Sequence, residues 1–332
     1  MTDCSAVIDI EHVEAVAAPT RCADDAVCEC CGGEHHAPVA RQRGWTLCAC
    51  PECGLMFVWP QPTASQLAAI YDQSSGYFAT AEDDLSRTSL EPAERLHRRL
   101  LKSGVTGRRF LDVGCATGKL IYHMGRLGWE ASGIDVNAGA VAVAERNGLD
   151  VTLGALEDHA FAEASFDVVH MGDVLEHVRG PLETLHEVRR LLQPGGMLVA
   201  STPNAASAFA RASLRVARML RMPWVWSAAP YHLFEFSPDA ISRLMTRAGL
   251  RVTKLACYGR PSFLYMLGAS GYFDDLKRSM KQGGRYRFNW RLIANLPKLV
   301  GVALLLVPAF VYGAVAGRGS GHRMLTIARR FD

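Results

Sequence analysis

Short apolar runs alternate with amphipathic stretches through most of the chain. The runs at residues 110–113, 131–134, 151–153, 166–171 and 197–201 are brief and rich in Val, Leu, Ile and Phe, as strands covered on both faces must be. Around them, apolar positions recurring every three to four residues predict helices at 92–103, 119–127, 138–147, Pro181–Leu191 and 238–248. Gly128, Gly148, Gly195 and Gly249 follow the last four of these helices, where glycine closes a helix at its C-terminus. Two later runs, 251–258 and Arg323–Arg330, predict further strands. Strands and helices in alternation imply an α/β fold, a doubly wound and mostly parallel sheet of the Rossmann-like kind.

Composition narrows the function classes. The chain has 332 residues, 49% of them hydrophobic and 21% charged, so it can bury a core and lacks the charge excess of a disordered protein. Its 36 basic and 33 acidic residues leave a net charge of only +3, so no global field draws it onto nucleic acid, which is not expected as a partner. Asp3, Asp9, Glu11 and Glu14 stand near the N-terminus without a basic start or an apolar export stretch, so a cytoplasmic setting is expected. Residues 1–27 carry no motif and read as a disordered leader.

Six of the ten cysteines lie between residues 28 and 53. Cys28 with Cys31 and Cys50 with Cys53 form two C-x2-C knuckles, each followed by a glycine and separated by 18 residues. Two-residue gaps let both sulfurs of a knuckle turn onto one ion, and four thiolates fill the tetrahedral shell of a structural zinc with no open position. Cys30, Cys48, His35 and His36 are alternative donors, but neither spare cysteine has the following glycine. The expected organisation is therefore a small N-terminal zinc ribbon at 28–59 and a linker with a short helix at 60–91. A catalytic domain at 92–332 would follow, with insertions at 205–229 and 259–320.

The run Phe110-Leu-Asp112-Val-Gly114-Cys-Ala116-Thr-Gly118 places a strand and a turn of small residues directly before a helix, so backbone can approach a ligand closely. Seventeen residues beyond Gly118, at the end of the next predicted strand, Asp135 offers a carboxylate able to accept both hydrogen bonds of a ribose diol. Lys119 stands where a dinucleotide fingerprint needs its third glycine, which disfavours a pyrophosphate ligand.

With these residues the chain resembles the class I S-adenosylmethionine-dependent methyltransferases, including ubiquinone-type and sugar methyltransferases. Further landmarks are Phe166-Asp167-Val168-Val169, Asp173-Val174-Leu175-Glu176-His177, Pro194-Gly195-Gly196 and Thr202-Pro203-Asn204. The resemblance covers roughly residues 92–258 and the last strand. It implies seven strands with an antiparallel one at the end, and S-adenosylmethionine as cofactor. Asp112, Gly114 and Gly118 would then lie at the methionine moiety, Asp135 at the ribose, Leu156 and Glu157 in the segment Leu156–Asp158 at the adenine, and Gly172 beside the sulfonium. Ala116 departs from the glycine usual in the family.

Methyl transfer needs alignment and removal of the acceptor's proton. His177 and His232 are the candidate bases, because imidazole titrates near neutral pH. Asp173, Glu176 and His177 resemble a run that ubiquinone-type relatives associate with a divalent ion such as Mg²⁺, although the same residues would also serve as a helix-entry cap. A hydroxyl of a small molecule or of a sugar or glycan precursor is the expected acceptor, with a quinone-type or other natural product as the alternative. A reading from another class is a non-catalytic interaction module, but the intact set Gly114, Gly118 and Asp135 argues against it.

Arg211, Arg215, Arg218 and Arg221 share one helical face beside Leu214, Val216, Met219, Leu220, Trp224 and Trp226, resembling an interfacial helix. Residues 299–316 carry no charge but are interrupted by Pro308. The expectation is peripheral contact with the inner face of the cell membrane or a lipid-linked acceptor, the alternative for 299–316 being a helix packed on the domain.

Overall fold

The structure, a computed structural model, describes residues 27–42, 44–63, 65–67, 85–221, 224, 226–259 and 321–331. The expected leader before Val27, the linker between 68 and 84, and the apolar segment 299–316 lie outside the described residues.

In chain order the strands are β1 (Ala37–Gln42), β2 (Trp45–Ala49), β3 (Met56–Val58), β4 (Arg109–Val113), β5 (Glu130–Asp135), β6 (Asp150–Leu153), β7 (Phe166–Gly172), β8 (Leu192–Pro203), β9 (Phe234–Glu235), β10 (Leu250–Tyr258) and β11 (Arg323–Arg330). The helices are α1 (Glu91–Lys102), α2 (Lys119–Arg126), α3 (Ala138–Arg146), α4 (Pro181–Leu191), α5 (Ala208–Leu220) and α6 (Pro238–Arg247). Seven strands form the main sheet in the order β10-β11-β8-β7-β4-β5-β6. The five from β8 to β6 pair in parallel, while β11 runs antiparallel to both β8 and β10. This is the expected α/β, Rossmann-like sheet, mostly parallel with an antiparallel strand from the end of the chain.

Alternation along each strand explains its coverage on both sides. Phe110, Val168, Met197 and Val199 point to one face with Ile121, Met124 and Trp129, whereas Leu111, Val169, Leu198 and Ala200 point to the other, against Leu185 and Val188 of α4 and Ile241 and Leu244 of α6. Gly195 does not cap α4 as its position suggests. It sits inside β8, where the pairing with β7 jumps from Phe166↔Leu192 to Val168↔Met197, because tertiary strand pairing overrides the local helix-stop signal.

A second sheet, in the order β1-β2-β3-β9, belongs to the cysteine module except for its last strand, which lies just before α6. Its β3 partner residues are Met56↔Glu235 and Phe57↔Phe234. On the far side, Trp45, Leu47, Met56 and Val58 pack with Phe209, Ala210 and Ala217 of α5 and with Trp224 and Trp226. The expected interfacial helix therefore needs correction. Trp224 and Trp226 retain only 0% and 4% of their surface, so both tryptophans cover the ribbon rather than a bilayer. Arg211, Arg215 and Arg218 of α5 do lie exposed, as does Arg221 at its C-terminal cap. Among the described residues no helix is long and apolar enough to cross a membrane.

Candidate active site

Strand order reverses between β4 and β7, and open α/β sheets bind ligands in the crevice at the carboxyl ends of such strands. Gly114 follows β4 there, and Gly172 ends β7. The turn after β4 closes through Gly114 N–H and Cys115 N–H, which donate to the carbonyl of Ile134 at 2.8 and 3.1 Å, and through Gly118 N–H to Cys115 O at 2.9 Å. Gly114 and Gly118 have φ of +73° and +79°. A side chain would be strained at either place, and a Cβ would stand 2.5 Å from Val174 Cγ2 or 2.4 Å from Leu149 Cδ1 respectively. Gly118 also caps α2, so the orphan N–H groups of that helix face the crevice end.

Asp135 braces this turn. Its Oδ2 accepts from Ala116 N–H and its Oδ1 from Asn137 N–H, both at 2.8 Å, which leaves further lone pairs on each oxygen for a diol. Burial raises its carboxyl above the ordinary value in spite of those two hydrogen bonds. Ala116 adopts φ +48°, the left-handed backbone for which the resembled pattern has glycine. Asp112 is buried and engaged by His170 Nδ1 at 2.7 Å. Leu156 is buried in a 3-10 turn, Leu156–Asp158, and the carboxylate of Glu157 accepts from Thr184 Oγ1.

Beyond β7 the chain builds a titratable cluster. Glu176, His177 and His232 offer ligand atoms that all lie within 4.8 Å of one another. Backbone stitching brings the two distant segments together: Leu233 N–H and Phe234 N–H both donate to Glu176 O, at 2.8 and 3.2 Å. His177 Nδ1 meets the carbonyl of Tyr231 at 2.8 Å, so that nitrogen carries the proton and Nε2 is an acceptor. The rings of His177 and His232 meet edge to face with centroids 4.8 Å apart. His232 Nδ1 faces Glu235 Oε1 at 3.5 Å. Glu176 retains 1% of its surface, and neither of its carboxylate oxygens has a hydrogen-bond partner among the described residues.

These surroundings separate the three groups. Burial pushes the Glu176 carboxyl up to about 8 against the pull of His232. Burial, and then the neighbouring His232, push His177 down to about 4. Burial alone would also lower His232, but the Glu235 carboxylate, followed by Glu176 and Asp173, holds it above its ordinary value. Sequence reasoning missed Glu235; its only trace was the His-x-x-Glu spacing within Tyr231–Ser237.

The expected Asp173, Glu176 and His177 set for Mg²⁺ is not what the fold gathers. Asp173, with φ +57°, turns to an ion pair with Arg323 of β11 and accepts a hydrogen bond from Ser201 Oγ at 3.4 Å. The remaining donors, one carboxylate and two imidazoles, are not the oxygen shell that Mg²⁺ prefers.

The thiols of Cys28, Cys31, Cys50 and Cys53 also lie within 4.8 Å of one another, with 3.5 Å between Cys28 and Cys53 and between Cys31 and Cys50. Tetrahedral thiolates about 2.3 Å from zinc would be about 3.8 Å apart, so the donor set fits that ion. The two knuckles have the same backbone: Gly32 N–H donates to Cys28 O at 2.8 Å and Gly54 N–H to Cys50 O at 2.9 Å. Cys30 and Cys48 are buried outside the set.

Comparison with known proteins gives likenesses of three kinds, to a family model, to curated relatives and to solved structures. A family model described as a methyltransferase domain matches residues 85–255. The ubiquinone biosynthesis O-methyltransferase of Ruegeria pomeroyi is 37% identical over 153 residues, 43% of this chain and 60% of that protein. The protein of the same name from Alkalilimnicola ehrlichii is 39% identical over 110 residues, 30% of this chain and 44% of that protein. The chain thus spans less than two thirds of the length of these curated relatives. Among solved structures, the 4+2 cyclase SpnF shares the fold with a TM-score of 0.51 at 18% identity, over 82% of this chain and 97% of SpnF.

Proposed function

The chain belongs to the methyltransferase-domain family, and from that premise we propose that this S-adenosylmethionine-dependent enzyme methylates a hydroxyl of a small molecule, a sugar or glycan precursor being the acceptor class. When bound, S-adenosylmethionine supplies a methyl group already activated by its sulfonium. Gly114 and Gly118 would hold the methionine moiety, Asp135 would take the ribose diol, Leu156 and Glu157 would flank the adenine, and Gly172 would lie beside the sulfonium. His232 would take the proton of the acceptor hydroxyl, leaving the oxygen free to receive the methyl group. Glu235 stabilises the resulting imidazolium, as a carboxylate behind a catalytic histidine does. His177, fixed by the Tyr231 carbonyl, packs edge to face on His232 and would hold that ring in place.

The observation behind this reading is the convergence of His177, His232 and Glu235 on the carboxyl end of β7. The test is incubation of the purified protein with S-adenosylmethionine and cell extract. Wild-type protein should yield a metabolite heavier by about 14 mass units, a methyl replacing hydrogen, and His232→Ala should not. Absence of any methylated product in either sample sinks the assignment. A quinone-type acceptor is the second reading, favoured by the name of the relatives, and a demethylated quinol offered beside nucleotide sugars separates the two.

The four thiolates are read as one structural zinc per chain, which metal analysis of Cys53→Ser should find lost. The enzyme is read as cytoplasmic, with Arg211, Arg215, Arg218 and Arg221 available to anionic headgroups. Flotation with anionic liposomes at low salt checks that contact.

A further inference from the structure

The cysteine module and the acceptor side share a strand. β9 is the fourth strand of the ribbon sheet, and it begins two residues after His232 and includes Glu235. Val58 N–H donates to Leu233 O at 2.9 Å, next to the β3–β9 pairs. Both knuckles are tied to the helix that follows. Ser237 Oγ donates to Cys53 O at 3.1 Å while it caps α6 by accepting from Ala240 N–H at 3.0 Å. Arg247, in the last turn of α6, donates to Cys28 O at 3.0 Å and Glu29 O at 2.8 Å. Segment 231–247 is thus held at its start by β3 and on either side of α6 by a knuckle, whereas the cofactor turn is closed by β5 through Ile134 and Asp135.

We propose that the four-thiolate ribbon is the positioning element of the acceptor side: by supplying β3 and the two knuckles, it holds His232 and Glu235 against Glu176 and His177. The inference rests on the proposed role of His232, and it gives the ribbon a task that an independent module would not have. A strand of two residues is too short to hold its own register. Its neighbours come from the ribbon on one side and, through Glu176 O, from the catalytic edge on the other. Loosening the thiolate site removes the first set and leaves the Asp135 brace untouched.

The experiment is hydrogen exchange by mass spectrometry on the full chain. It is run with metal bound, after chelation, and after zinc is restored, with S-adenosylmethionine affinity measured by calorimetry on each sample. Chelation should speed exchange of peptides covering 231–237 by about 10-fold or more, with peptides of β4 and β5 unchanged, and zinc should restore the slow rate. Cofactor affinity should stay within about twofold throughout. Ser237→Ala keeps all four thiolates and should give a smaller acceleration in the same peptides. Unchanged exchange at 231–237 after chelation would overturn the proposal, and so would equal acceleration in β4 and β5, which would make the ribbon a staple for the whole fold. Failure of the metal-loaded protein to bind S-adenosylmethionine would count against the methyltransferase reading instead, since the exchange result does not depend on it.

Discussion

The glycine turn after β4 and the titratable cluster after β7 lie at the carboxyl ends of neighbouring strands, yet they are built on opposite plans. Around Gly114 and Asp135 backbone N–H groups and carboxylate oxygens satisfy one another, and the shape is imposed by positive-φ glycines. Around Glu176 the side chains are buried and titratable, and both oxygens of that carboxylate lack partners among the described residues. The first plan suits a ligand of constant shape and charge. The second suits a proton that must move, because burial without compensation is what displaces a titration.

The sharpest way to break this contrast is to remove the proposed proton acceptor. His232→Ala should cut turnover by about 10²–10⁴-fold while leaving S-adenosylmethionine affinity unchanged, and Glu235→Gln should do so less. Steady-state rates and calorimetry on the same samples separate the two effects; weakened cofactor binding in His232→Ala would mean that the regions are not distinct. Asp135→Ala tests the other side. It leaves the Ala116 and Asn137 amides unpaired and, on the proposed role, would leave two ribose hydroxyls unpaired as well, so affinity should fall by about 10–100-fold.

A pH series reaches the cluster without an acceptor. The Glu176 carboxyl rises from an ordinary 4.5 to about 8, so the folded chain binds this proton more tightly than the unfolded one. That contribution to stability is complete below about pH 4.5 and is lost as pH climbs through about 8. His177, lowered to about 4, acts in the opposite sense, weakening the fold as pH falls below its ordinary 6.5. The readout is therefore the difference in Tm between wild type and Glu176→Gln, which should move in favour of the variant from about pH 5 to pH 9. A constant difference would show that Glu176 is ionised in the fold. The smallest effect is expected at Ala116→Gly, where relief of the left-handed backbone at φ +48° should raise stability by about 0.5–1 kcal/mol, readable as a small rise in the denaturation midpoint.

Most of the sheet was legible because its strands are short apolar runs punctuated by turn chemistry, and the knuckles because their spacing is local. Asp135 was visible through its distance from the glycine turn, but its grip on Ala116 N–H was not, since that bond joins residues 19 apart. Asp173 looked like a ligand in its motif and was claimed instead by Arg323, 150 positions away in the chain. Glu235 carried no local mark beyond its spacing from His232.

By itself the sequence determined what depends on neighbours along the chain: strand and helix periodicity, the turn of small residues before α2, and two thiolate knuckles of matching backbone. The tertiary structure decided which of these meet. It lent β9 to the ribbon, covered the ribbon with Trp224 and Trp226, and set His232 beside His177. Burial and charge pairing act through space, so a residue's partner and its titration follow from the packing that brings distant segments together, which no local pattern encodes.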